Sequence, residues 1–267
     1  MLTTIPVSSM VTRSRIREFM VTRFSLEQYH SCSWTVSADR ESADFLKALY
    51  PGDNYLPVIE REASHIKGEN EAFMPMIMNK LTAMRESINQ HGGTLFIDSD
   101  HIFTAELPLK LFSGAAVIAS DHHIPRSVTT EKYGIYNVGM IFCRFTSFID
   151  DWEWRCLERF DPDGLEQKPF ELALIEGCLP YKVFSKGCNV GWWRHVHDKS
   201  FLDTLGFGDG KVYVAGEEVI NFHVHSEKGV GRDIEEPFVE LILKLLELSG
   251  KPQHADLKHF IKTTLER

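Results

Sequence analysis

The chain contains no apolar run approaching the ~18 residues that a membrane-spanning helix requires, so no integral membrane segment is expected. Its first ten residues are too short and too polar for the apolar part of a secretory signal. It has no C-x-x-C pair, and its five cysteines (Cys32, Cys143, Cys156, Cys178 and Cys188) are scattered and odd in number. That argues against a zinc ribbon or a disulfide framework and fits buried thiols in a reducing compartment, so the expected location is cytoplasmic. Positive charge is in deficit, with 29 Lys and Arg against 38 Asp and Glu and a net charge of −9. A nucleic-acid partner held through its phosphates is therefore not expected. A small anionic substrate remains compatible, because a bound cation reverses the local sign. Internal repeats and low-complexity tracts are also missing.

What is present is ordinary globular material, 267 residues with 43% hydrophobic and 25% charged side chains. The first part alternates strand-like stretches (2–8, 31–37, 55–59, 94–97) with helix-like ones (13–29, 41–50, 76–90). Pro75 suits the first turn of the last of these, and residues 62–71 read as a polar loop. Repeated β-α-β units with uniformly apolar strands predict an α/β fold, a mostly parallel central sheet with helices on both faces. Further on, 115–119 and 138–142 read as strands, and 148–160 and 170–177 as helices. One or two strands are expected over 211–225 around a turn at Gly216, and residues 237–249 form an amphipathic helix.

The strongest chemical signal is the run Thr94-Leu-Phe-Ile-Asp-Ser-Asp100, an apolar strand leading into two carboxylates. In open α/β sheets ligands sit outside the carboxyl ends of strands, so Asp98 and Asp100 point at a site. Side chains at i and i+2 of an extended segment share a face, which lets both reach one hard cation, Mn²⁺ or Mg²⁺. The bland alternative is an Asp-Ser-Asp turn that caps the next segment. His223 and His225 likewise share one strand face and are candidate ligands, with His225 slightly preferred as nearer the strand end. Lys228 nearby can neutralise a leaving phosphate as a point charge. Ser8, Ser9 and Arg13 are placed in the first β-to-α loop, where backbone N–H groups can meet a nucleotide. Asp39 ends the second strand and can accept hydrogen bonds from a base or ribose. Asp121-His122-His123 lines the cleft or forms a solvated turn, and Asn189-Val-Gly-Trp-Trp-Arg194 stacks on a sugar or packs in a core.

The segment TLFIDSDHIF resembles the strand-plus-DxD signature of GT-A glycosyltransferases, and further matches follow in order. Residues 136–144 (YNVGMIFCR) are similar to that family's N-x-G-hydrophobic strand beside the sugar pocket, which carries Asn137 and Gly139. Glu166-Gln167 resembles its acidic-Gln pair, with Glu where Asp is more usual. Residues 221–228 (NFHVHSEK) resemble the C-terminal histidine element, without the K-P-W that some members carry. The resemblance spans roughly residues 2–228. It implies a Rossmann-like GT-A fold in one domain over 1–267, with a nucleotide-binding half (1–100) and an acceptor and metal-completing half (101–267).

The function so implied is sugar transfer from a nucleotide-diphosphate donor to a hydroxyl of a glycan, lipid-linked or small-molecule acceptor. The expected ion is bound by Asp98, Asp100 and one of His225 and His223. The expected donor contacts are Ser8, Asp39, Asp98, Asn137, Gly139 and Lys228. An inverting course needs a base, Glu166 by motif position and Glu171 second; a retaining course does not. Three rival readings stand beside this one. A metal-dependent phosphoester hydrolase would draw on His122, His123, His223 and His225 with the same aspartates. A sugar nucleotidyltransferase usually carries a glycine-rich loop after its first strand, and VSSMVTR has no glycine. A non-catalytic binding module would be indifferent to metal. The donor sugar and the oligomeric state are not read from the sequence.

Overall fold

The structure is a computed structural model that describes residues 4–60, 70–124, 134–158, 166–191, 193–194, 201–224 and 232–265. Its centre is a seven-stranded sheet. In chain order the strands of this sheet are β1 (Ile5–Val11), β2 (Cys32–Asp39), β3 (Asn54–Ile59), β4 (Thr94–Ile97), β6 (Val117–Asp121), β7 (Tyr136–Cys143) and β8 (Tyr181–Val183). Their spatial order is β3-β2-β1-β4-β7-β6-β8. Strands β3 to β4 run parallel, β7 is antiparallel to both its neighbours, and β8 is parallel to β6. The sheet is thus mostly parallel, as the apolar strands predict. From β1 the chain steps outward to β2 and β3, then returns to lay β4 on the other side of β1. That reversal is the topological switch point where such sheets bind ligands.

Both faces of the sheet are covered. Leu95 and Ile97 of β4 pack with Phe19 and Leu26 of α1 (Ile16–Glu27) and with Leu46 of α2 (Arg40–Leu49). Phe96, pointing the other way, joins Leu81, Met84 and Ile88 of α3 (Asn70–His91). Trp152 of α4 (Thr146–Glu158) and Phe170 of α5 (Gln167–Glu176) complete that second core. Pro75 lies inside α3 instead of in its first turn. The residues before it, Asn-Glu-Ala-Phe-Met, are mostly good helix formers, and an early proline removes only one ladder bond. Of the expected 62–71 loop, 62–69 lie outside the described residues, and 70–71 are the first residues of α3 instead.

Two smaller three-stranded sheets hold much of the second half. One orders β5 (His101–Phe103), β13 (Asn221–His223) and β9 (Val190–Gly191) as β5-β13-β9. The other is a meander of β10 (Leu205–Gly208), β11 (Lys211–Val214) and β12 (Glu217–Glu218). Ala215 and Gly216 both have positive φ, 49° and 82°, the requirement of a two-residue type I′ hairpin turn. Three short strands therefore stand where one or two were expected. Helix α6 (Arg232–Leu248) ends near Gly250, at φ 66°, and a helix the sequence reading did not anticipate follows, α7 (Pro252–Leu265). Pro252 occupies its first position, where the missing N–H costs nothing. Leu257 and Ile261 of α7 are buried with Phe238 and Ile242 of α6, and Phe260 stacks on Phe24 of α1 with ring centroids 4.2 Å apart. Among the described residues no helix is long and apolar enough to cross a membrane.

One contact fixes the turn after β4. Thr22 of α1 is fully buried, and its hydroxyl lies 2.7 Å from the Ser99 carbonyl and 2.8 Å from the His101 carbonyl. The same oxygen accepts the His101 N–H at 2.8 Å. One turn later the Ser25 hydroxyl accepts the Phe103 N–H at 3.0 Å. Short polar side chains on a buried helix face thus supply hydrogen bonds that an irregular turn cannot make for itself. Replacing Thr22 with Val keeps the shape and strands these backbone groups. Urea unfolding of Thr22→Val is expected to show a loss of ~1–3 kcal/mol, whereas Thr22→Ser should stay close to the parent.

Candidate active site

Asp98 follows β4 directly, and its N–H bonds the Gly139 carbonyl at 2.8 Å, so the β4–β7 pairing continues to the first carboxylate. Because β7 is antiparallel, its opening residues Asn137 and Gly139 lie beside the carboxyl end of β4. Asp100 is buried, and its Oδ1 lies 3.0 Å from Nε2 of His223, which is 4% exposed. His223 reaches it because β13 pairs antiparallel with β5, placing His223 directly opposite His101. The pairing continues in the 2.7 Å bond from Val224 N–H to the Asp100 carbonyl. The two imidazoles stack, with centroids 4.3 Å apart and planes inclined at 28°. Among the described residues Asp100, His101 and His223 form a group whose potential ligand atoms all lie within 4.8 Å of one another.

Gly139 makes room for this arrangement. A Cβ there would sit 2.7 Å from His223 Nδ1 and 2.8 Å from Asn137 Oδ1. The N-x-G pattern therefore has a steric cause, the ring of His223 seated on bare backbone. A relay of amides backs the ring: Asn189 Oδ1 lies 2.9 Å from His223 Nδ1, and Asn189 Nδ2 donates to Asn137 Oδ1 at 2.9 Å. Asn137 Oδ1 also accepts the Gly139 N–H at 2.8 Å. Trp193 packs edge-on against His223 at 5.0 Å and against His122 at 5.6 Å.

Lys80 is 2% exposed; its ammonium donates to Glu166 Oε1 at 2.7 Å and stands 3.9 Å from Asp98 Oδ1. Burial works against the charged amine, but Asp98 and Glu166 outweigh it and raise its pKa. Burial raises the Asp98 carboxyl; Lys80 opposes this and the Asp100 charge adds to it. Burial depresses His223, yet the charge and hydrogen bond of Asp100 prevail and hold the imidazole above its ordinary value. The 3.0 Å contact of His223 Nε2 with Asp100 Oδ1 is an ion pair whenever the ring is doubly protonated. The donor set fits a divalent cation: replacing the Nε2 proton leaves an imidazole lone pair and a carboxylate oxygen facing one point, with Asp98 two residues away.

Other expected residues are placed differently. Ser8 is not in a loop: it lies within β1, fully buried, accepting the Thr94 hydroxyl at 2.9 Å, because the strand runs on to Val11. Asp39 ends β2 as expected but caps α2, accepting the Ser42 N–H at 2.9 Å and the Ser42 hydroxyl at 2.6 Å. Glu171 has both oxygens committed, one to the Ile135 N–H at 2.6 Å and one to Lys168 at 2.7 Å. His225 and Lys228 lie outside the described residues. Arg194 is buried and spends its guanidinium on the carbonyls of His122, Lys186, Cys188 and Asn189, which holds the Asn189 turn. The sequence reading did not single out Lys80, His101 or Asn221, and it considered Asn189 only as part of an aromatic run. A lysine on the apolar side of α3 and a histidine inside DSDHIF were the available signals.

Two measurements check this geometry. Gly139→Ala is expected to displace His223, lowering stability by ~1–3 kcal/mol and Mn²⁺ affinity by at least about tenfold, read by thermal unfolding and calorimetric titration. His122 and His123 are each held down to about 4, chiefly by burial. Their folded pKa values lie below the unfolded ~6.5, so their contribution is complete above that pH and is lost as pH falls toward 4. The urea midpoint is expected to decline across that window, and less steeply in His122→Asn.

No family model matches the sequence, and no curated protein does. Solved structures do match. The galactosyltransferase LgtC, in complex with donor and acceptor sugar analogues, aligns with a TM-score of 0.56 at 13% identity, over 92% of this chain and 95% of that one. The glycosyltransferase GlyE of Streptococcus pneumoniae TIGR4 aligns with a TM-score of 0.56 at 13% identity, over 98% of this chain and 64% of that one. Mouse xyloside xylosyltransferase 1 aligns at 0.51 and 12% identity, over 83% and 97%. At these identities the likeness is one of backbone architecture, and the mostly parallel sheet with its antiparallel β7 is the fold of the GT-A glycosyltransferases.

Proposed function

We propose that the protein is a metal-dependent glycosyltransferase. It moves a sugar from a nucleotide-diphosphate donor to an acceptor hydroxyl, with Mn²⁺ or Mg²⁺ held by Asp98, Asp100 and His223. The observation that carries this is the approach of His223 Nε2 to Asp100 Oδ1, 3.0 Å apart, between residues remote in sequence. They meet beside the carboxyl end of β4, next to the switch point of a GT-A fold. Two carboxylates with one imidazole suit a Mn²⁺-class ion that keeps positions for phosphate oxygens. When bound, the ion supplies positive charge against the leaving diphosphate.

The chain's own groups do the rest. Asp100 and His223 present their ligand atoms from a rigid pair of strands, and Gly139 sets how deep the ring sits. Lys80 holds Asp98 and Glu166 by one ammonium, so the metal-side carboxylate and the sugar-side carboxylate keep a fixed separation. Glu171 is spent on the 134–135 backbone and is assigned a structural role. Glu166 is assigned to the reacting sugar, as base in an inverting course or as a fixed charge in a retaining one. Asn137 and Gly139 act through His223, and Asp39 stands at the end of β2 on the nucleotide side of the sheet.

Asp100→Asn tests the reading, because it keeps the shape and removes the charge. A panel of sugar nucleotides with saturating Mn²⁺ is expected to show transfer, or slow donor hydrolysis, falling by ~100-fold or more in the variant. Nucleoside diphosphates should raise the parent's Tm only in the presence of the ion. Retained turnover in Asp100→Asn, or stabilisation by nucleotide that is indifferent to metal, would overturn the reading.

A further inference from the structure

The metal reading leaves a question the geometry answers. Two stacked imidazoles flank Asp100, and a site with two histidines and a carboxylate favours zinc-class ions, whereas one with a single histidine and two carboxylates favours manganese and magnesium. Which histidine can ligate is decided by where each ring keeps its proton, and two backbone N–H groups fix both answers. A backbone N–H can only donate. The Gly139 N–H points at Asn137 Oδ1, so that atom is an acceptor. The Asn189 atom facing it at 2.9 Å is therefore the amide nitrogen, which turns Asn189 Oδ1 toward His223. His223 must then carry a proton on Nδ1 to meet that oxygen at 2.9 Å, and its Nε2, facing Asp100, is the nitrogen available to an ion.

The second chain starts from the same residue. The Asn189 N–H donates to Asn221 Oδ1 at 3.0 Å, so the other Asn221 atom is its amide nitrogen. That nitrogen lies 2.6 Å from His101 Nδ1, which must accept and hence be bare. The remaining proton of His101 sits on Nε2. Neither nitrogen of His101 can then ligate, since one lone pair is occupied by an amide donor and the other position carries a hydrogen. Asn189 and Asn221 are both fully buried, and Asn189 holds the left-handed conformation, φ 54°, that aims its side chain at His223 and its N–H at Asn221.

We infer that Asn189 and Asn221 are positioning residues that fix opposite states at two ring atoms, a hydrogen on Nδ1 of His223 and none on Nδ1 of His101. The site so made admits one imidazole ligand, which lowers its affinity for zinc relative to manganese below that of a two-histidine site. The inference rests on the metal reading for its use but not for the two Nδ1 atoms, whose states belong to the protein without an ion. Nitrogen-15 correlation spectra of the imidazoles in the metal-free protein read them directly. The expected result is a proton on Nδ1 of His223 and a bare Nδ1 on His101; a protonated Nδ1 on His101 would overturn the inference.

Calorimetric titration with Mn²⁺ and Zn²⁺ then reads selectivity. Asn221→Asp keeps the acceptor for Asn189 and replaces the amide donor with a second acceptor, which draws the His101 proton to Nδ1 and frees Nε2. Asn221→Ala leaves both nitrogens of His101 able to ligate. At least one variant is expected to raise the ratio of Zn²⁺ to Mn²⁺ affinity tenfold or more. An unchanged ratio in folded forms of both refutes the selectivity. If neither variant folds, the parent spectra decide. A parent protein that binds no divalent ion but shows the two expected Nδ1 states refutes the metal reading and leaves the locking intact.

Discussion

The site depends first on one hydroxyl. The turn from β4 to β5 carries both aspartates and leads into His101, and Ser99, Asp100 and His101 are buried. Thr22 meets two carbonyls and one N–H of that turn from the middle of a helix. A buried turn with those groups unmet would lose several hydrogen bonds at once, each with its full desolvation penalty. Helix α1, the turn and β5 therefore behave as one body, and the positions of Asp98 and Asp100 follow from the packing of α1 on the sheet. Because α7 also packs on α1 through Phe260 and Phe24, the end of the chain supports the same body from outside.

Around that body the charges are arranged to coexist. Asp98, Asp100 and Glu166 bring negative charge to a small volume, which is costly to bury without compensation. Lys80 supplies it on one side, and on the other stands His223, whose pKa is raised by Asp100 against the effect of burial. A cation bound there as proposed would replace the charge that the Nε2 proton brings when the ring is doubly protonated, and the balance around Asp100 would change little. Gly139 belongs to the same economy of space, since any side chain there would occupy the place of the ring.

The parts of this legible in the sequence were those written in local patterns. β4 is a continuous apolar run ending in Asp-Ser-Asp, and both the strand and the position of the acids at its end follow from period and composition. The alternation of strands and helices in the first hundred residues likewise gives a mostly parallel sheet, because parallel strands buried on both faces leave a run of apolar residues. What was not legible is non-local. Nothing near Thr22 in sequence says that its hydroxyl will meet Ser99 and His101, and a buried Lys80 reads as an ordinary helix lysine until Asp98 and Glu166 are folded onto it. Ser8 was misplaced by strand length: β1 runs three residues past the expected end, so a residue assigned to a loop is interior. Helix α7 was overlooked although Pro252, Leu257 and Ile261 mark its start and its buried side, because its polar composition masks the pattern. The fold-level likeness to LgtC and GlyE settles the architecture and leaves the chemistry to the side chains.

The left-handed turn at Asn189 has a consequence for how the site would meet an ion. Because each amide in the relay is oriented by a main-chain donor, the hydrogen bonds run in a single sense and no ring or amide can flip without setting like against like. A flexible imidazole must choose among orientations and protonation patterns before it binds, and that choice is a reorganisation cost paid at every capture. Here the choice has been made during folding. The groups proposed as ligands already stand in the arrangement that an ion would require, and its binding would ask for little movement beyond the loss of any proton on Nε2. The rigidity of a single asparagine thus appears as preorganisation, the property that lets fixed dipoles act on developing charge without first being turned toward it.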